Sequence, residues 1–183
     1  MLAELALPVA IETRSGAMTM RRAQSTDLDA LMRLLADDEV SRTRGDVLAP
    51  EDRPRYAAAL EAIAADPSND LLVVVDAGGE LVGTLQLTRI PGMARRGSVR
   101  LLVEAVRVSS ALRSSGIGGA MMRWVTDVAA PGLEASLVQL TSDAVRTDAH
   151  RFYERLGFTP SHLGFKFPVP AREGSQMASG SPA

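Results

Sequence analysis

The chain has 183 residues, a formal net charge of −2, 46% hydrophobic and 23% charged residues, and no cysteine. This composition fits one globular domain with tails and argues against bulk electrostatic binding to nucleic acid or to an anionic membrane. It also excludes disulfides, thiolate nucleophiles and Cys-type zinc sites. No apolar run reaches the roughly 18 residues of a membrane span. Only two histidines are present, His150 and His162, so a three-His metal centre is impossible and no metal is expected. Neither a G-x-S-x-G elbow nor a G-x-x-x-x-G-K-[ST] loop occurs. Glu4 stands where a secretory leader would be basic, which points to a cytoplasmic protein.

In chain order, residues 1–17 lack clear periodicity and read as a flexible N-terminal extension, dispensable if the natural start lies at Met18. Thr19–Ala23 reads as a strand. Ser25 or Thr26 is a good N-cap, and Leu28, Leu31, Met32, Leu34 and Leu35 predict an amphipathic helix to about Asp37. Residues 38–49 are polar and loop-like. Asp52–Ala65 predicts a second helix, stopped before Pro67. Leu71–Asp76 and Leu81–Ile90 are strands joined by Ala77-Gly78-Gly79-Glu80, a hairpin signal. A third strand, Val99–Val108, runs into a glycine-rich turn and then a helix to about Ala130. Leu137–Thr141 reads as a strand, Thr147–Leu156 as a helix and Phe158–Val169 as an extended segment. Residues 171–183 are small and polar, a disordered tail, which leaves 18–170 as the domain. This order implies an α+β fold, with helices packed on a mixed, mostly antiparallel sheet.

The turn Arg113-Ser-Ser-Gly116-Ile-Gly118-Gly119 places three glycines where a helix must begin. Amides at a helix start lack internal partners and sit at the positive end of the dipole, so bare backbone there suits a phosphate, with Arg113 as a forked donor. The alternative is a turn with close helix packing. The dinucleotide fingerprint is ruled out, because its last glycine position is Met121.

Val106-Arg-Val108-Ser-Ser-Ala-Leu-Arg113-Ser-Ser-Gly116-Ile-Gly118 resembles the acyl-CoA signature of the GNAT superfamily of N-acetyltransferases, [RQ]-x-x-G-x-[GA] after a strand. Further on, Ala149-His-Arg-Phe152-Tyr153-Glu-Arg-Leu-Gly157-Phe158 resembles the second signature of that family, A-x-x-FY-x-x-x-GF. Both occur in the family's order within about residues 19–169. The resemblance implies acetyl-CoA as co-substrate, its pantetheine arm lying along a splayed strand at Val106, Arg107 and Val108. The pyrophosphate would rest on the turn formed by Arg113, Ser114, Ser115, Gly116, Ile117, Gly118 and Gly119. It implies Glu104 as the base for an incoming amine and the Val106 amide as donor to the thioester oxygen. Tyr153 becomes the acid for the departing thiolate. Glu104 has salt-bridging to a nearby arginine as its alternative role, and Tyr153 has core packing.

Two positions depart from the family pattern. Arg146 stands where many relatives carry a CoA-contacting Asn, and Ser114 stands where a glycine is common. Weaker candidates for acceptor binding are His162 and the acids Asp37, Asp38, Glu39 and Asp46. His150 reads as an N-terminal-turn histidine. The expected activity is acetyl transfer to a primary amine, with a small-molecule acceptor ahead of a protein one, by a monomer or homodimer. A non-catalytic acyl-CoA-binding or regulatory protein on the same fold is the alternative. Without cysteine, an acetyl-Cys intermediate is excluded and direct transfer in a ternary complex remains.

Overall fold

The computed structural model describes residues 1–37, 45 and 47–169. Six strands form one sheet in sequential order: β1 (Val9–Thr13), β2 (Gly16–Arg22), β3 (Asn69–Val75), β4 (Leu81–Pro91), β5 (Val99–Val108) and β6 (Ala135–Leu140). Every neighbouring pair is antiparallel except β5 and β6, which run parallel. Among the described residues the longer α-helices are α1 (Leu28–Ala36), α2 (Arg53–Ala65), α3 (Ile117–Trp124) and α4 (Thr147–Arg155). The fold is α+β, as expected, and β5 has the bounds expected of it. The helix after the glycine turn runs on past α3 as a π turn, Val125–Ala129, and a last turn, Ala130–Gly132. Among the described residues no helix is long and apolar enough to cross a membrane.

β3 shows why the sheet is covered on both faces. Leu72, Val73 and Val74 are all buried, although successive side chains of a strand point to opposite sides. Val73 packs with Leu28, Leu31 and Met32 of α1 and Leu60 of α2. Leu72 and Val74 join the larger cluster, which includes Met20, Leu85, Leu87, Leu101 and, from α3, Ile117, Met121, Met122 and Trp124. Leu28, Leu31 and Met32 recur at helical spacing, so α1 presents one apolar stripe to the sheet. Thr84 is buried within β4 and satisfied by donating its hydroxyl to the Leu72 carbonyl (2.8 Å).

The first 17 residues are not a flexible extension. β1 pairs with β2 from Val9↔Met20 to Thr13↔Gly16, and Leu2, Leu5 and Ile11 are buried in the main core. The hairpin turn is built locally. Gly16 takes φ +102°, the Thr13 hydroxyl donates to the Gly16 carbonyl (2.7 Å), and the Ser15 amide donates to that hydroxyl (3.1 Å). Ahead of β1, Arg22 donates to the Leu2 carbonyl (2.8 Å) and the Leu5 carbonyl (3.4 Å), while its Nε pairs with Asp70 (2.8 Å). Periodicity could not reveal this, because Leu2 lies in a 3-10 turn and only Ile11 of β1 is fully buried. The expected strand at Thr19 accordingly starts at Gly16.

At the other end, residues 158–169 form no strand ladder. Pro160 and Pro168 each remove a backbone donor from the segment, which opposes pairing in a sheet.

Candidate active site

The site begins at a fault in the sheet. β4 and β5 are in register from Pro91↔Val99 to Gln86↔Glu104, and then shift to Thr84↔Arg107. One residue of β4, Leu85, therefore faces two of β5, Ala105 and Val106. That is a β-bulge, and Ala105 has the positive φ of +49° that such an insertion produces. On its other side β5 pairs with β6 only from Val99↔Ala135 to Val103↔Leu140. Glu104 to Val108 thus continue as a strand beyond the end of their parallel neighbour, and the sheet opens there.

Val106 and Val108 are half-buried against the core, while Glu104 is exposed. Among the described residues no ion pair reaches Glu104, so the salt bridge envisaged as its alternative role is not formed with them. Arg107 turns back along the strand, its Nη1 donating to the Val106 carbonyl (2.9 Å).

After β5, a 3-10 turn (Ser110–Leu112) leads to the glycine turn. Ser114 has φ +65° and Gly116 φ +90°, two left-handed residues flanking Ser115. A serine at the first of these is strained where glycine is not, which explains why glycine suits that position. The first helical bond of α3 is Ala120 N–H to the Gly116 carbonyl (2.9 Å), so the amides of Ile117, Gly118 and Gly119 precede it. The glycines also answer to packing. A Cβ on Gly118 would meet the Phe152 ring at 3.4 Å and Val108 at 3.6 Å, and one on Gly119 would meet Arg123 at 3.2 Å. At Gly116 it would meet Arg14 at 3.2 Å. Close packing and an amide-lined turn are therefore both present, not alternatives. Arg113 is exposed and has no ion-pair partner among the described residues.

α4 brings the second signature to this opening. Tyr153 packs edge-on against Phe152 (centroids 5.0 Å) and Phe158 (5.9 Å). Its hydroxyl donates to no described residue, unlike that of a tied-off core tyrosine. Burial pushes the Tyr153 phenol above its ordinary pKa, while the guanidinium groups of Arg107 and Arg146 pull the other way. Arg107 of β5 and Arg146, just ahead of α4, thus both bear electrostatically on the Tyr153 phenol. Arg146 precedes the first turn of α4 and accepts the His150 amide on its carbonyl (3.1 Å). The His150 ring closes the same corner, with Nε2 2.8 Å from the Asp143 carbonyl.

The remaining candidates are less central. His162 is exposed in the C-terminal segment, its Nδ1 2.8 Å from the Ser161 hydroxyl. Asp38, Glu39 and Asp46 lie outside the described residues. Asp37 accepts from the Ser110 amide (2.6 Å) and hydroxyl (2.9 Å), joining the end of α1 to the loop that follows β5. An open groove of about 420 Å³ lies there, lined among others by Arg33, Asp37, Leu48, Glu80 and Ser110. Among the described residues no cluster of three metal-ligating side chains occurs. Sequence reasoning missed the Ala105 bulge and the contact of Arg14 with the turn.

The sequence model of the acetyltransferase (GNAT) family matches residues 28–158. The chain belongs to that family. No curated relative matches it. Among solved structures it is similar to a transcriptional regulator from Bacillus halodurans C-125, with TM-score 0.75 and 39% identity over 83% of this chain and 99% of that one. A putative acetyltransferase from Agrobacterium tumefaciens str. C58 has TM-score 0.69 and 25% identity, over 82% and 99% of the two chains. Glucosamine-6-phosphate N-acetyltransferase from Arabidopsis thaliana shares the fold at TM-score 0.68 and 15% identity, over 84% and 99%. Family membership supports acetyl transfer in general and acetyl-CoA as the usual donor of the family.

Proposed function

We propose that the protein transfers the acetyl group of acetyl-CoA to a primary amine of a small molecule, directly and within a ternary complex, as a cytoplasmic enzyme. The observation that carries this reading is the opening of the sheet beyond Val103, where β5 runs on without β6 and leads into the glycine turn at the start of α3. The residues fit the donor. Val106 and Val108 lie where β5 has no neighbour on the β6 side, and the turn from Arg113 to Gly119 presents helix-start amides and a cation to a pyrophosphate.

When bound, acetyl-CoA supplies the carbonyl carbon to which the amine nitrogen bonds and the thiolate that departs as the C–S bond breaks. The protein handles charge and protons. Glu104, exposed on β5, takes the proton the amine must lose, directly or through water. The Val106 amide is the donor for negative charge on the carbonyl oxygen; its own carbonyl is already held by Arg107. A phenol with a raised pKa keeps its proton at neutral pH, so Tyr153 holds one for the leaving sulfur. Arg107 and Arg146 stabilise the anion formed as that proton moves. Asp37 and Glu80 of the groove beside Ser110 suit a cationic acceptor.

A thiol-release screen of acetyl-CoA against amines, amino acids, polyamines and aminoglycosides tests the activity, and intersecting rather than parallel initial-velocity lines test direct transfer. Tyr153→Phe should lower kcat by roughly 100-fold, the scale of general-acid catalysis, with CoA affinity little changed. Equal loss of both would make Tyr153 structural. A second reading, a regulatory acyl-CoA-binding protein, draws on the description of the Bacillus halodurans protein as a transcriptional regulator. CoA binding without turnover of any amine would favour it.

A further inference from the structure

The hairpin between β1 and β2 lies ahead of the residues matched to the family, 28–158, yet it touches the glycine turn directly. The Arg14 amide at its tip donates to the Ser115 carbonyl (2.9 Å). A Cβ on Gly116 would come within 3.2 Å of the Arg14 nitrogen and 3.3 Å of its Cγ, so the arginine stem lies against the bare face of Gly116. The hairpin is held firmly there. β1 pairs with β2 along its whole length, and Ile11 is anchored in the core that also contains Ile117 of α3.

What this places beside the turn is a cation with no partner among the described residues. Arg21, Arg22, Arg53, Arg55 and Arg151 are all in ion pairs. The Arg14 guanidinium is exposed and bonded to no described residue, and the same is true of Arg113 on the turn itself. Asp37, the carboxylate bonded to this loop, is engaged by the Ser110 amide and hydroxyl. Two arginines from separate segments, neither paired among the described residues, therefore border the turn that leads to the helix-start amides of Ile117 to Gly119.

We propose that Arg14 is a phosphate-binding residue of the acyl-CoA site, supplied by the N-terminal hairpin from outside the family's matched span. The assignment rests on the acyl-CoA reading given above. The phosphate it meets is the pyrophosphate or the ribose 3′-phosphate of the donor, and a fork-shaped guanidinium fits either.

The test is calorimetry on the full chain with CoA and with dephospho-CoA, for the wild type, Arg14→Ala and Arg14→Lys. Arg14→Ala should weaken CoA by about five- to tenfold, the scale of one solvent-accessible charged hydrogen bond, and Arg14→Lys by less. Arg14→Lys keeps both the main-chain bond to Ser115 and the stem against Gly116, so its melting temperature should match the wild type. A loss that disappears with dephospho-CoA assigns the 3′-phosphate; a loss that persists assigns the pyrophosphate. Turnover of S-acetylpantetheine, which carries neither phosphate, should be the same in all three proteins. Equal CoA affinity in wild type and Arg14→Ala, or an equal loss with S-acetylpantetheine, overturns the assignment alone. A wild type that does not bind CoA overturns the acyl-CoA reading itself.

Discussion

Residues 1–13 and 158–169 flank the catalytic fold and differ in a way that their sequences disguise. The first stretch has no useful period, yet Leu2 is 1% exposed and β1 extends the sheet. The second alternates apolar side chains at Leu163, Phe165, Phe167 and Val169, a good strand pattern, yet these are 85%, 92%, 87% and 83% exposed and unpaired. Alternation says which residues would share a face; it does not supply a neighbour. Pairing was decided by main-chain chemistry, through Gly16 and the Thr13 hydroxyl at one end and Pro160 and Pro168 at the other.

The sharpest way to break this contrast is to cut the N-terminal stretch out of the core without shortening the chain. Leu2→Ala should cost about 2–4 kcal/mol, as expected for truncating a fully buried leucine, read as a lower midpoint in urea with an unchanged slope. A cost below about 0.5 kcal/mol would mean that the segment unfolds apart from the rest, and the two ends would then be alike.

Arg22 gives a smaller effect with a pH signature. Arg22→Ala removes the donor to the Leu2 and Leu5 carbonyls and leaves Asp70 buried without its ion pair. The expected cost at pH 7 is about 2 kcal/mol. Burial already holds the Asp70 carboxyl above its ordinary pKa, against the lowering pull of Arg22, and losing Arg22 lets it rise further. A carboxyl whose folded pKa lies above its unfolded value contributes stability at low pH and loses it as pH rises through the folded value. The gap between variant and wild type should therefore narrow as pH falls from 7 towards about 4. Asp27 is the opposite case: two Arg21 contacts and the Gln24 amide hold its carboxyl low, so its contribution is lost on acidification. Reading the difference between variant and wild type cancels that background. A gap that widened towards pH 4 would assign the cost to something other than the stranded Asp70 carboxylate.

Much of the fold was legible because it follows from local rules. The bounds of β5, the hairpin at Gly78-Gly79 and α1 with its leucine stripe all emerged from periodicity and turn chemistry. The candidate site was legible in part, because its two signatures are contiguous in sequence. Their convergence came only from the resemblance: nothing in the spacing of Arg107, Arg146 and Tyr153 by itself brings the two segments together. Ala105 carries no sign of the bulge, since alanine has no preference for φ +49°. Arg14 was hidden for a third reason, in that a residue in a stretch without period offers nothing to align with a turn a hundred residues away.

The smallest expected effect belongs to the other end. Phe165 and Phe167 are exposed, so the double variant Phe165→Ser/Phe167→Ser should unfold within about 0.5 kcal/mol of the wild type, as surface changes do. Their exposure side by side is also unfavourable for solubility, so the variant should stay monodisperse to higher concentration. A loss of about 2 kcal/mol or more would instead mean that the alternating face is buried in solution. β6 makes such burial possible, since it has β5 on one side and no described strand on the other. In that event the period-2 pattern would have been the better guide to this segment, and the contrast with the N-terminus would reduce to a difference in how each strand reaches the sheet.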